Sequence, residues 1–160
     1  MIIRKYQSED TDEIIQLFYD TVHQINIRDY SQVQINAWAP NNKDSINWVN
    51  KLSDKITYVA ENKNYSNNNK IIIGFAQLET NGHIDCFYCH YQYQGVGVGN
   101  RLLNEIQLTA INLGIKRLFT EASITAKPFF EKKGFIVVNP QVVECRGQNF
   151  VNYVMEKHLN

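Results

Sequence analysis

The residues with chemical potential are concentrated between His83 and Leu103. His83-Ile84-Asp85-Cys86-Phe87-Tyr88-Cys89-His90 has the apolar and aromatic content of a buried strand. After Tyr91-Gln92-Tyr93 comes Gln94-Gly95-Val96-Gly97-Val98-Gly99-Asn100-Arg101-Leu102-Leu103, a glycine-rich loop that opens a helix. Unpaired amides at a helix N-terminus, with the helix dipole behind them, favour an anion, so this stretch reads as a phosphate cradle. Strand alternation predicts that His83, Asp85 and Phe87 share one face and Ile84, Cys86 and Tyr88 the other.

The spacing narrows the phosphate ligand. A dinucleotide fingerprint starting at Gly95 finds Asn100 at its sixth position, and one starting at Gly97 finds Leu102. A nucleotide P-loop needs Lys and Ser or Thr after its last glycine, whereas Asn100-Arg101 follow Gly99. His83-x-x-Cys86-x-x-Cys89-His90 suggests a metal or redox site, but strand residues three apart point to opposite faces, so no metal is expected. The three cysteines, in a chain whose first residues Met-Ile-Ile-Arg-Lys look nothing like a signal peptide, read as reduced thiols of a cytoplasmic protein.

The elements that must position this stretch follow from periodicity. The chain has 160 residues, 44% hydrophobic and 20% charged, with zero formal net charge, so nucleic acid and anionic membrane are not expected partners. Met1 to Tyr6 reads as a strand. Asp10 and Glu13 read as an acidic capping box for a helix over 11–25, with Ile14, Ile15, Phe18, Val22 and Ile25 on one face. Residues 26–42 are irregular. Asp44 is expected to cap a second helix through Leu52, and Ile56 to Glu61 is a strand. Residues 62–69 form a hairpin loop, and Lys70 to Glu79 pairs with His83 to Cys89 across the Asn81-Gly82 turn. A helix through Leu113, a strand from Arg117 to Ala122, a short helix capped by Thr125 with Pro128 in its first turn, and a terminal hairpin around Arg146-Gly147-Gln148 complete the chain. The expected class is α/β: one domain over 1–160 with a single mixed, mostly antiparallel central sheet flanked by helices.

Gln94-x-x-Gly97-x-Gly99 with Leu102-Leu103 resembles the acyl-CoA pyrophosphate loop of the GNAT superfamily of N-acetyltransferases. Ala126-x-x-Phe129-Phe130-Glu131-x-x-Gly134-Phe135 is similar to its second signature, at the right separation. Asp29-Tyr30-Ser31, Gln34, Ala37-Trp38-Ala39-Pro40 and Asn152-Tyr153-x-Met155-x-Lys157 resemble the bacterial YafP-like branch. The resemblance implies transfer of an acetyl group from acetyl-CoA directly to a primary amine. It implies that the strand before the loop splays from its neighbour and that Phe87, Tyr88 and Cys89 bind the pantetheine arm through their backbone. Gln94, Gly95, Val96, Gly97, Val98, Gly99 and Asn100 would hold the pyrophosphate. Arg101 would be a further phosphate or ribose contact, and Ser123 stands where many members carry an asparagine. Phe130 replaces the tyrosine that often protonates the leaving thiolate, so Tyr88, Tyr153 or water must do so, or the thiolate leaves unassisted. His83 and Asp85 are alternative general bases, with Glu79 as a third candidate, and His23, Tyr30 and Trp38 are candidates for the acceptor pocket. The protein is expected as a monomer or homodimer. The alternative function is an acyl-CoA-binding module or sensor with little catalysis.

Overall fold

The computed structural model describes residues 1–64, 67 and 69–160. The chain runs β1 (Ile2–Lys5), α1 (Thr11–Gln24), α2 (Gln32–Trp38), α3 (Ser45–Ser53), β2 (Ile56–Asn64), β3 (Asn69–Leu78), β4 (Ile84–Cys89), α4 (Val98–Asn112), β5 (Arg117–Ser123), α5 (Lys127–Lys132), β6 (Ile136–Cys145) and β7 (Gln148–His158). The α/β class is as expected, with antiparallel pairing throughout the named strands. The sheet itself is divided into a four-stranded half, β1-β2-β3-β4, and a three-stranded half, β5-β7-β6. β2 and β3 form the expected hairpin, whose tip residues Tyr65, Ser66 and Asn68 lie outside the described residues.

The halves meet at one end of β4. His83 forms a parallel bridge with Phe119, the Phe119 amide donates to the Gly82 carbonyl at 3.0 Å, and the Thr120 hydroxyl donates to the Ile84 carbonyl at 2.9 Å. Beyond Ile84 the backbone pairing between β4 and β5 stops, so the facing strand edges open into a groove.

α4 packs against one face of the four-stranded half, burying Val98, Leu102, Leu103, Ile106 and Ala110 with Ile73, Ala76 and Leu78. α1 and α3 cover the other face, where Ile14, Leu17 and Leu52 meet Val59, Phe75 and Cys86. A third cluster gathers Val22, Tyr30, Ile35 and Phe150, joining α1 and α2 to the terminal hairpin. Among the described residues no helix is long and apolar enough to cross a membrane.

Three local expectations are corrected. Asp10 does not cap α1: its carboxylate accepts from the Gln7 amide and from the Arg4 guanidinium, while Glu13 accepts from the Ile72 amide at 2.6 Å. Asp10 is taken up by residues that precede it and Glu13 by the distant β3, so neither is left to cap α1. Residues 26–42 are more regular than expected, because Ser31 and Gln34 form a reciprocal capping box that starts α2. Thr125 does not cap α5; the Ser123 hydroxyl instead accepts from the Ala126 amide at 3.0 Å.

Candidate active site

β4 is the site's central element, and its register departs from simple alternation. Ala76 pairs with Phe87 but Leu78 pairs with Ile84, so three steps on β4 oppose two on β3. This is a β-bulge at Asp85-Cys86. It separates Phe87 from the expected grouping of His83, Asp85 and Phe87, while the His83 and Asp85 side chains stay together. Ile84 and Phe87 both pack on the α4 side, whereas Cys86 and Tyr88 pack on the α1/α3 side. The Asp85 carboxylate reaches Lys51 of α3 and Lys55 just beyond it. Cys86 and Cys89 do point to opposite sides, Cys89 lying on the α4 side beside Gly99. Burial pushes the Cys86 thiol up to about 11 and the Cys89 thiol up to about 12.

The groove between the half-sheets has a volume of about 410 Å³. Phe87, Tyr88 and Cys89 line it from β4, and Gln94, Gly95, Gly97, Val98, Gly99 and Asn100 from the loop. Ser123, Thr125, Phe129 and Phe130 line the opposite wall. Gly97 has φ +92°, a left-handed conformation that only glycine adopts without strain, and it turns the chain into α4. The first bond of that helix runs from the Arg101 amide to the Gly97 carbonyl at 3.1 Å. The amides of Gly95 to Asn100 precede it and meet no backbone acceptor among the described residues, which suits an anion. Gln94 steadies the loop by donating to the Cys89 carbonyl at 2.8 Å, which also accepts from Thr21 at 3.0 Å.

Two loop residues sit elsewhere. The Val96 side chain is exposed and is not part of the groove lining. Arg101 donates to the Met1 carbonyl at 2.7 Å and also lies outside the lining, which opposes its expected phosphate contact. Phe130 is buried against Phe87, Phe129 and Phe135. Tyr153, a candidate proton donor, is absent from the groove lining and carries Lys127 over its ring.

A second cavity of about 450 Å³ lies between α1, α3 and β4. Phe18, Trp38, Trp48 and Tyr88 form its aromatic walls, and Lys43, Asp44, Lys51, Asp85 and Arg146 its charged lining. Asp85, Tyr88 and Trp38 line both cavities, so the two meet at these residues. Arg146, held at φ +47° in the terminal hairpin, donates to the Ala37 carbonyl at 2.8 Å and so ties that hairpin to the end of α2.

The titratable candidates occupy distinct settings. Burial alone would push the Asp85 carboxyl up, but the Lys55 hydrogen bond at 2.5 Å and the charges of Lys51 and Lys55 outweigh it and hold it below the usual carboxylate range. His83 lines neither cavity. Its ring stacks on Phe119, Nδ1 lies 2.7 Å from Glu79, and Nε2 lies 2.6 Å from Glu121. Burial would lower its pKa; the Glu121 and then the Glu79 hydrogen bonds prevail and raise it. Glu79 is in turn held low, chiefly by the His83 hydrogen bond and with help from Lys55. Ligand atoms of Glu79, His83 and Asp85 lie within 4.8 Å of one another, but Lys55 Nζ sits among them, 3.4 Å from Glu79 and 2.5 Å from Asp85. An ammonium thus balances the acidic charge of that cluster. Burial pushes the Tyr88 hydroxyl up, so it stays protonated through the neutral range.

The expected acceptor-site residues separate. Trp38 lines both main cavities. Tyr30 lines a smaller cavity of about 210 Å³ and is structural in its bonding: its hydroxyl donates to the Val151 carbonyl at 2.6 Å and accepts from the Ile124 amide at 3.0 Å. His23 lines none of these cavities; it bonds the Ala39 carbonyl at 2.8 Å and stacks on Tyr19. Phe18, Trp48 and Lys51 were not anticipated. Trp48 and Lys51 are three apart on one helix, the spacing that brings them together.

This groove and loop on a split sheet define an acyltransferase class. The chain belongs to the GNAT family: the model of the acetyltransferase (GNAT) domain matches residues 26–157. Among individual proteins, the chain is 35% identical over 154 residues to the uncharacterized N-acetyltransferase YafP of Escherichia coli (strain K12), covering 96% of this chain and 93% of that protein. A GCN5-related N-acetyltransferase structure from Rhodopseudomonas palustris superposes with a TM-score of 0.90 at 30% identity, covering 99% of this chain and 95% of that one. The PaiA N-acetyltransferase of Thermoplasma acidophilum, solved in complex with coenzyme A, has the same fold, with a TM-score of 0.76 at 19% identity over 99% of this chain and 98% of that one.

Proposed function

We propose that this protein transfers an acetyl group from acetyl-CoA to a primary amine bound in the aromatic cavity. The observation that carries this reading is the meeting of the two cavities at Asp85, Tyr88 and Trp38. A thioester arm laid along β4 and an amine entering from the α1/α3 side converge there. The glycine loop, with its unpaired amides, receives the pyrophosphate, in keeping with the coenzyme A held by the Thermoplasma protein of the same fold.

In the reaction, the neutral amine adds to the thioester carbonyl, an N–C bond forms and the C–S bond breaks. Positive charge grows on nitrogen during attack, and the Asp85 carboxylate stabilises it. A carboxylate held low by Lys55 is a weak proton acceptor, so Asp85 serves as the fixed counter-charge, and the released proton passes to water. Phe130 has no proton to give, and the thiolate departs as the anion. Tyr88, kept protonated by burial, is a hydrogen-bond donor at the junction. His83 serves at a distance, tying β4 to β5 through Glu121.

Thiol release measured over a panel of amines tests this reading. Asp85→Asn is expected to lower kcat by about 10²–10³-fold, while the acetyl-CoA Kd stays within a few-fold. Full turnover in the variant, or tight acetyl-CoA binding without turnover on any amine, overturns it; the second outcome favours a binding module.

A further inference from the structure

The wall of the aromatic cavity carries two opposite charges side by side. Asp85 Oδ2 lies 3.9 Å from Lys51 Nζ, and both residues line the cavity. Each has unused bonding capacity. Lys55 occupies Asp85 Oδ2 at 2.5 Å, whereas Oδ1 accepts no hydrogen bond among the described residues and is not fully buried. Lys51 Nζ lies 5.5 Å from the centre of the Trp48 ring and donates no short hydrogen bond among the described residues; its side chain is 44% exposed.

The remaining charges leave a positive excess. Three cations, Lys43, Lys51 and Arg146, line the cavity against two carboxylates, Asp44 and Asp85. Asp85 is already balanced by Lys55. Lys51 and Arg146 therefore face the cavity without a dedicated carboxylate.

We infer that the acceptor is a free α-amino acid with an apolar side chain. Its ammonium sits on Asp85 Oδ1 and gives one proton to water before attack, its carboxylate sits on Lys51 Nζ, and its side chain lies between Phe18, Trp38 and Trp48. The amine nitrogen and carboxyl carbon of an α-amino acid are about 2.5 Å apart, from ordinary bond lengths and angles. The adjacent charges of Asp85 and Lys51 are complementary to that dipole. A simple amine leaves Lys51 without an anion. A peptide N-terminus offers it a neutral amide, and a diamine meets repulsion.

This inference rests on the acetyltransferase reading, and the test separates the two. Initial rates of thiol release from acetyl-CoA are compared for L-phenylalanine, L-phenylalaninamide and phenethylamine, using the full chain and its Lys51→Ala and Lys51→Arg variants. The expected result is a kcat/KM for phenylalanine about 10–100-fold above the other two, as a charge-assisted contact provides. That ratio should collapse in Lys51→Ala and largely return in Lys51→Arg. Because the ratio is taken within each variant, partial loss of folded protein does not affect it. Equal use of the amide or the amine by the wild type overturns the inference while leaving the enzyme reading intact. So does a ratio that survives Lys51→Ala. If none of the three is acetylated, calorimetric titration of phenylalanine into the protein decides: absence of binding overturns the inference, and turnover of any other amine still preserves the enzyme reading.

Discussion

Replacing Gly74 with alanine tests whether the seat of α4 on β3 sets the position of the phosphate loop. Gly74 lies beneath the first turns of α4. An added Cβ would fall 2.8 Å from Val98 Cγ1, 2.9 Å from Leu102 Cδ1 and 3.2 Å from the Tyr88 carbonyl oxygen. Ordinary carbon–carbon contact begins near ~3.5 Å, so the start of α4 must retreat by roughly 0.7 Å. Val98 and Leu102 are buried and have no solvent to swing into. Overpacking of this kind costs about 1–3 kcal/mol. At about 3 °C per kcal/mol for a chain of this size, Tm should fall by about 3–9 °C. Val98 directly follows Gly97, so the loop amides move with it, and weakening one or two phosphate contacts should raise the CoA Kd roughly tenfold. Differential scanning fluorimetry and calorimetric titration with CoA measure the two effects. A Tm within a degree of wild type together with an unchanged Kd would refute the reasoning, because the helix would then not need that close approach.

Two further outcomes are expected. Tyr30→Phe removes the hydroxyl that joins the Val151 carbonyl to the Ile124 amide, two part-buried hydrogen bonds; chemical denaturation should show a loss of about 0.5–1.5 kcal/mol. For His83 the folded pKa is raised, so its stabilising contribution is complete below the ordinary histidine value of about 6.5 and is lost as pH rises through the folded value. Tm measured from acid to alkaline pH should therefore decline more steeply for wild type than for His83→Gln across that interval, and parallel curves would exclude the clamp.

Much of the site was legible because local chemistry encodes it. The loop from Gln94 to Leu103 declares itself by its glycines, and α4 by an apolar face that is buried almost residue for residue. The bulge at Asp85-Cys86 left no such mark. It exists because Gln77 alone opposes two residues, a long-range register effect, and it redirected Asp85 to the α3 side. The partners that define Asp85 and His83 were also out of local reach: Lys55 is 30 positions from Asp85 and Glu121 is 38 from His83. Ser31 and Gln34 show the opposite failure. Their capping box was readable, but it sat among polar residues whose helix has only two turns' worth of apolar support.

The one strand-to-strand junction between the half-sheets among the described residues turns β4 into a lever. Its fulcrum is at His83 and Phe119, and its arm, backed by β3 but unpaired with β5, extends to Cys89. Six residue steps of strand make an arm of ~20 Å, so a rotation of about 5° at the fulcrum displaces the far end by roughly 1.7 Å. Misplacement on the order of 1 Å at a reacting centre can cost about 10²-fold in rate. Substitutions around Phe119, Glu121 and Glu79 can therefore reach the chemistry without touching either substrate, and the fulcrum is a place where activity can be tuned by very small changes in side-chain size.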